Sequence, residues 1–292
     1  MEKSKILALG FFDGVHLGHQ ALLLACRNLA EKHGYDPGVV TFTTHPDGLV
    51  AGNAPLLLNT AEDRRVLLYG HLMTSVEEIP FDETLMHTHW SSFLEALLDM
   101  GAAGFVCGSD FRFGAGGNGT AKKLEDFCKE RGLLCAIVPQ QEVDGIRVSS
   151  TYIRELIEKG EMERANAFLG HPHSVAGKVV SGRGLGHTIG IPTANLNLPE
   201  GVICPKHGVY ACKAITEGRE YLAVTNVGTR PTVSGSHITV EPWLLDFEGD
   251  LYGKHLRLLF YKFLRPEKKF DSLAELKAEI ERNGEEVRTY FR

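Results

Sequence analysis

The chain has 292 residues, 43% of them hydrophobic and 23% charged, with a formal net charge of -6 at pH 7. That length exceeds one ordinary core, so two domains are expected. The acidic balance, with no basic run, argues against a nucleic-acid binder, and no apolar stretch reaches the length of a membrane span or a signal-peptide core.

In chain order, the first half alternates strand and helix. Lys5–Leu9 is a short apolar strand, and residues 21–32 follow with Leu22, Ala25 and Leu29 on one helical stripe that Gly34 ends. Strands are expected at 38–42, 104–107 and 134–138, with helices at 62–72, 90–100 and 122–131 between them. Such alternation implies an α/β domain with a parallel sheet covered on both faces, whose ligands bind at the carboxyl ends of the strands. Two more helices, 149–159 and 162–169, lead to a break at Gly170–Ser174, where the domain boundary is expected, giving domains 1–170 and 174–292.

The second domain is mainly β. Segments 175–180, 209–215, 222–227, 238–247 and 256–263 are strand-like and divided by turns, which suggests an antiparallel sheet or small barrel. A capping box at Ser272–Glu275 starts a C-terminal helix whose stripe of Leu273, Leu276 and Ile280 is expected to end at Gly284. The six cysteines, Cys26, Cys107, Cys128, Cys135, Cys204 and Cys212, form neither a CxxC pair nor a zinc-like cluster and read as reduced thiols of a cytoplasmic protein.

Two constellations carry chemistry. The first is the turn Gly10-Phe-Phe-Asp-Gly-Val-His-Leu-Gly-His19 between the first strand and first helix. Its glycines allow backbone to approach a phosphate, and a helix N-terminus offers free N–H groups and partial positive charge. His16 and His19, three apart, are expected on one helix face, donating to an α-phosphate as charge builds on it. Read alone, the pair could equally be two exposed histidines or zinc ligands lacking a third partner. At Arg147-Val-Ser-Ser-Thr-Tyr-Ile-Arg154, Ser149 or Ser150 suits an N-cap, and Ser150, Thr151 and Arg154 share the first helical turn, a cradle for β- and γ-phosphates or simply a cap beside a surface arginine.

The HxGH turn paired with a later SSTxxR helix start resembles the nucleotidyltransferase superfamily with a modified Rossmann fold. Thr41–Pro46 and Gly108–Gly114 are similar to motifs of the FAD synthetase module of bacterial riboflavin kinase/FAD synthetases. The resemblance implies transfer of AMP from ATP to FMN, with magnesium. It places His16 and His19 on the transferred phosphate, and Ser150, Thr151 and Arg154 on the leaving pyrophosphate. Asp110 is implied near the nucleotide, with Gly10, Phe11, Asp13 and Gly18 completing the ATP-binding set. Phe11 departs from the asparagine common in that family, and the loop 114–119 is unusually glycine-rich.

The second constellation is Gly177–Asn195. Gly182, Gly184, Gly186 and Gly190 make a loop able to fold over phosphates or a plain hairpin, and it is neither a Walker A nor a dinucleotide fingerprint. Pro192-Thr-Ala-Asn195 adds a hydroxyl and a carboxamide, two oxygen donors suited to magnesium. Glu241, embedded in an apolar run, could accept a proton from a hydroxyl attacking the γ-phosphate, or lie on an edge strand. With Asn226–Thr232, Asp250–Gly253 and Leu264–Phe270, this region resembles the riboflavin kinase module over residues 174–292.

That resemblance implies a Greek-key barrel with a C-terminal helix. Thr193 and Asn195 are implied to hold magnesium and ATP phosphates, with Gly182, Gly184 and Gly186 in the same loop, Glu241 as base and Arg265 near the flavin. Trp243 and Asn283 depart from the residues usual there. The expected protein is a bifunctional enzyme taking ATP, riboflavin and FMN and making FAD, with small-molecule partners and no nucleic acid or membrane; oligomeric state is not read from the sequence. A kinase with an inactive first domain and a flavin-sensing regulator are the alternatives.

Overall fold

The computed structural model describes residues 4–182, 189–232 and 235–292. The chain divides into two compact units, Met1–Ser150 and Thr151–Arg292.

The first unit is built on five strands: β1 (Lys5–Leu9), β2 (Asp36–Phe42), β3 (Ser75–Ile79), β4 (Ala102–Gly108) and β5 (Leu134–Val138). They pair in parallel in the order β3-β2-β1-β4-β5. Alternate side chains of β1 serve two cores. Ile6 and Ala8 pack with Leu23 and Cys26 of α1 (Leu17–His33) and Leu68 of α2 (Ala61–Gly70). Leu7 and Leu9 pack with Leu94 and Leu97 of α3 (Trp90–Asp99) and Phe127 of α4 (Ala121–Arg131). Both faces are thus covered, as a parallel sheet requires. The strand order reverses beside β1, so a crevice opens at the carboxyl ends of β1 and β4.

Strand β3 was not expected. Its SVEEI sequence is half-buried along its length, and its carboxylates are held by partners: Glu77 by Lys5 at 3.0 Å, and Glu78 by Arg65. An edge strand with charged residues lacks the apolar run that marked its neighbours.

Helices α5 (Ser150–Lys159) and α6 (Met162–Leu169) lie, from Thr151 on, within the second unit. Asn166 donates to the Phe260 carbonyl at 2.8 Å, and the Lys206 N–H donates to Ile157 at 3.2 Å. The division by contacts therefore comes earlier in the chain than Gly170–Ser174.

Six antiparallel strands follow: β6 (His173–Lys178), β7 (Leu196–Asn197), β8 (Gly208–Thr216), β9 (Arg219–Thr232), β10 (Gly235–Leu244) and β11 (His255–Arg265). Their order is β6-β11-β8-β9-β10-β7. The Val180 N–H donates to the Asn195 carbonyl at 2.9 Å, drawing the two edges together into a nearly closed barrel.

Helix α7 (Leu273–Tyr290) starts at the expected cap, where Ser272 Oγ accepts from Glu275 N at 3.2 Å. It does not stop at Gly284 but runs six residues further. The glycine serves packing: a Cβ there would lie 2.9 Å from Trp243 Cζ3. Beyond it, Val287 closes a core with Val209, Val224 and Leu245.

Candidate active sites

The turn after β1 is strained. Phe12 and Val15 hold φ of 60° and 41°, a region unfavourable for a bulky and a β-branched residue. Full burial of both side chains holds them there. The result aims His16 and His19 together, though not as two residues of one helix face: His16 is the N-cap of α1, and its Nδ1 accepts from the His19 N–H at 3.3 Å. The two rings stack with centroids 3.6 Å apart and 12° between planes. Burial, then the neighbouring His16 and Arg64, hold the His19 pKa well below the ordinary histidine value. It is therefore neutral at physiological pH, with one N–H still able to donate.

These histidines line a cavity of about 370 Å3 with Gly10, Phe11, Gly18, Asp110 and Ser150. Asp110 is ion-paired to Arg147, also a lining residue, which was not singled out as a site residue in the sequence. Ser150 Oγ donates to the Asp13 carbonyl at 3.1 Å, tying the start of α5 to the turn. Asp13 does not line the cavity. It is buried beneath the turn, and its carboxylate accepts from Leu58 N at 2.8 Å. Thr151 and Arg154 follow Ser150 on α5 and are counted with the second unit.

Within the same unit, a second cavity of about 360 Å3 shares Phe42, Pro46 and Arg112 with the first. Phe81, Met86, Phe93 and Phe113 make it aromatic and apolar, and the glycines of the 114–117 loop border it. These residues are scattered over three elements and a loop, which is why no motif announced them.

In the barrel, Glu241, Thr193, Asn226, Trp243, Arg265 and Asn283 line one cavity of about 350 Å3. Glu241 stands opposite Asn226 in the β9–β10 register. Thr239, two residues earlier and so on the same face, donates its hydroxyl to Glu241 Oε1 at 3.1 Å. Arg265 is fixed by Asn283 Oδ1, at 3.1 Å from Nε and 3.0 Å from Nη2, and by the buried Glu279 at 3.0 Å.

Another cavity, of about 370 Å3, is lined by Val179, Pro192, Phe247 and Tyr252, and Thr193 belongs to the walls of both. Asn195 lines neither; it is buried, and its Oδ1 has no hydrogen-bond partner among the described residues. Gly182 passes so close that a Cβ there would lie 2.2 Å from Asn195 Nδ2. Gly184 and Gly186 lie outside the described residues.

A parallel α/β unit with a glycine- and histidine-bearing turn at its switch point, and a barrel with a carboxylate at a cavity, are the features of a two-site nucleotide-dependent transferase. Residues 1–152 match the FAD synthetase family and residues 169–291 the riboflavin kinase family. The bifunctional riboflavin kinase/FMN adenylyltransferase of Bacillus subtilis is 33% identical, covering 99% of this chain and 93% of the relative. That of Escherichia coli K12 is 36% identical, covering 98% and 92%. A crystal structure titled a macrolide-efflux protein from Streptococcus pneumoniae shares the fold at a TM-score of 0.90, with 29% identity over 99% of this chain and 95% of that one. No helix among the described residues is long and apolar enough to cross a membrane. The chain belongs to the family of bifunctional riboflavin kinase/FMN adenylyltransferases.

Proposed function

We propose that the chain makes FMN and FAD in separate cavities, one activity to each of two modules. It is a riboflavin kinase and an FMN adenylyltransferase. Functionally the modules run 1–170 and 174–292.

In the barrel, riboflavin occupies the cavity of Glu241 and Arg265, and ATP the neighbouring one. The supporting observation is that Thr193 belongs to both walls, so a γ-phosphate held there meets an acceptor hydroxyl at Glu241. Glu241 takes the proton from that hydroxyl as its oxygen attacks phosphorus. Arg265, Asn283 and Trp243 hold the flavin.

A magnesium ion fits this site: the Thr193 hydroxyl and the unpartnered Asn195 oxygen are hard donors. Held there by Thr193 and Asn195, such an ion would supply neutralisation of charge on the ATP phosphates. Gly182 belongs to the loop that would cover them; Gly184 and Gly186 of that loop lie outside the described residues.

In the 1–170 module, the phosphate of FMN attacks the α-phosphorus of ATP and pyrophosphate leaves. FMN arrives with an ionised phosphate, so this step needs no general base. What it needs is donors to the charge building on the α-phosphate, and His16 and His19 supply them. Gly10, Phe11 and Gly18 form the ATP turn, which Asp13 supports from below. Ser150, Thr151 and Arg154 receive the pyrophosphate, and Asp110 with Arg147 borders the nucleotide. The aromatic cavity of Phe81, Phe93 and Phe113 takes the flavin ring.

We place the protein in the cytoplasm, a reducing compartment that suits its six free cysteines. Incubating the purified chain with riboflavin, ATP and magnesium chloride, then separating flavins by chromatography, tests the reading. FMN followed by FAD is expected; FMN alone would leave a kinase with an inactive first unit.

A further inference from the structure

Arg64, on α2, belongs to no motif, yet its side chain is among the largest fully buried ones in the chain, at 1% exposure. Burying a guanidinium is costly unless its charge and donors are met. Only partly are they met here. Nη2 donates to the Phe42 carbonyl at 2.8 Å, while Nε and Nη1 have no hydrogen-bond partner among the described residues. The carboxylates of Asp13 and Glu78 lie close enough to offset part of its charge, but neither accepts a hydrogen bond from it.

The two unused donors belong to a guanidinium that lies at the adenylyl-transfer turn. The guanidinium carbon sits 4.4 Å from the centroid of the Phe11 ring, a wall of the histidine cavity. Phe11 is held by the Thr41 hydroxyl on its carbonyl at 2.8 Å and by His45 edge-on at 4.6 Å. The field of Arg64 also reaches His19. A fold anchor needs only the bond to Phe42, and a methionine with a polar neighbour would fill the same space. A buried cation, left with two unused donors beside a cavity for phosphates, is matched to an anion.

We propose that Arg64 is an electrostatic positioning residue for adenylyl transfer, acting on the nucleotide's phosphates from beneath Phe11. In a site of low dielectric such a charge stabilises the extra negative charge of the transition state without touching the reacting atoms. This rests on the assignment of the His16–His19 cavity to adenylyl transfer.

The test compares Arg64→Met, Arg64→Gln and Arg64→Lys with the unaltered enzyme and His19→Ala. FMN-to-FAD and riboflavin-to-FMN rates are measured on the same samples, together with thermal unfolding. The expected result for Met and Gln is a fall in adenylylation kcat of about 10- to 100-fold, with KM for FMN within about twofold and kinase rates unchanged. Lys should recover most of the loss.

Wild-type adenylylation in the Met and Gln variants would overturn the proposal. So would a Lys variant as slow as Met, or a change confined to KM. Gln retains a donor for the Phe42 carbonyl; if it too unfolds the first unit, Arg64 is a fold anchor and the proposal fails. If His19→Ala made FAD normally, the assignment of the cavity itself would fail, a result separate from any seen at Arg64.

Discussion

Replacing Gly284 with alanine adds one methyl group to the middle of α7. The new Cβ would lie 2.9 Å and 3.2 Å from two carbons of the Trp243 ring, and 3.6 Å from Leu245 Cδ2. Carbon atoms at rest stand about 3.5–4.0 Å apart, so the indole must retreat by roughly 0.5–1 Å. Overpacking of this kind costs about 1–3 kcal/mol, while exchanging glycine for alanine inside a helix returns about 1 kcal/mol. The net expectation is a loss of about 0–2 kcal/mol. Trp243 is a wall of the Glu241 cavity, so its displacement should also raise KM for riboflavin several-fold and leave FMN adenylylation unaltered. Urea unfolding and the two steady-state assays read these separately. A variant stabilised by about 1 kcal/mol with unchanged riboflavin KM would refute the close contact as the reason for glycine here.

Thr239→Val removes the hydroxyl that donates to Glu241 Oε1; hydrogen bonds to charged groups contribute about 1.5–3 kcal/mol, and since this one is partly exposed, riboflavin kinase kcat should fall about 3- to 30-fold, with Thr239→Ser restoring it. His173 is buried with Nε2 unpartnered among the described residues, and burial, helped by His171, lowers its pKa from 6.5 to about 3. The unfolded chain therefore takes up the proton first, so stability is unaffected above pH 6.5 and falls as pH drops from there towards 3, by up to about 1.4 kcal/mol per pH unit. In urea titrations at pH 7 and pH 5, His173→Leu should lose about 2 kcal/mol less than the unaltered chain.

Much of what the fold gathers at the two candidate sites was legible because it lies in short runs. The turn 10–19 could be read because glycines, histidines and a helix start coincide, and the Pro192–Asn195 run because a proline fixes two oxygen donors side by side. Periodicity carried the buried strands β1, β2, β4 and β5. It failed at β3, where Glu77 and Glu78 are tolerated only because Lys5 and Arg65 reach them from other elements. Arg64 escaped for a related reason: one of two adjacent arginines in a polar helix looks exposed until β2 and the turn close over it. Gly284 misled because a glycine late in a helical stripe is also the ordinary stop signal; only the position of Trp243 tells the two apart. The aromatic cavity required the fold, since Phe42, Phe81, Phe93 and Phe113 are distant in sequence and meet through packing.

Division of labour between the units is tested most directly by complementation between two variants of the full chain. Glu241→Ala supplied with riboflavin, ATP and magnesium should form neither product yet convert added FMN to FAD. His19→Ala should turn riboflavin into FMN and stop. Mixed in one tube, the two should carry riboflavin through to FAD, with released FMN passing from one to the other. Loss of both activities in either folded variant, or a mixture that makes no FAD, would contradict two independent sites.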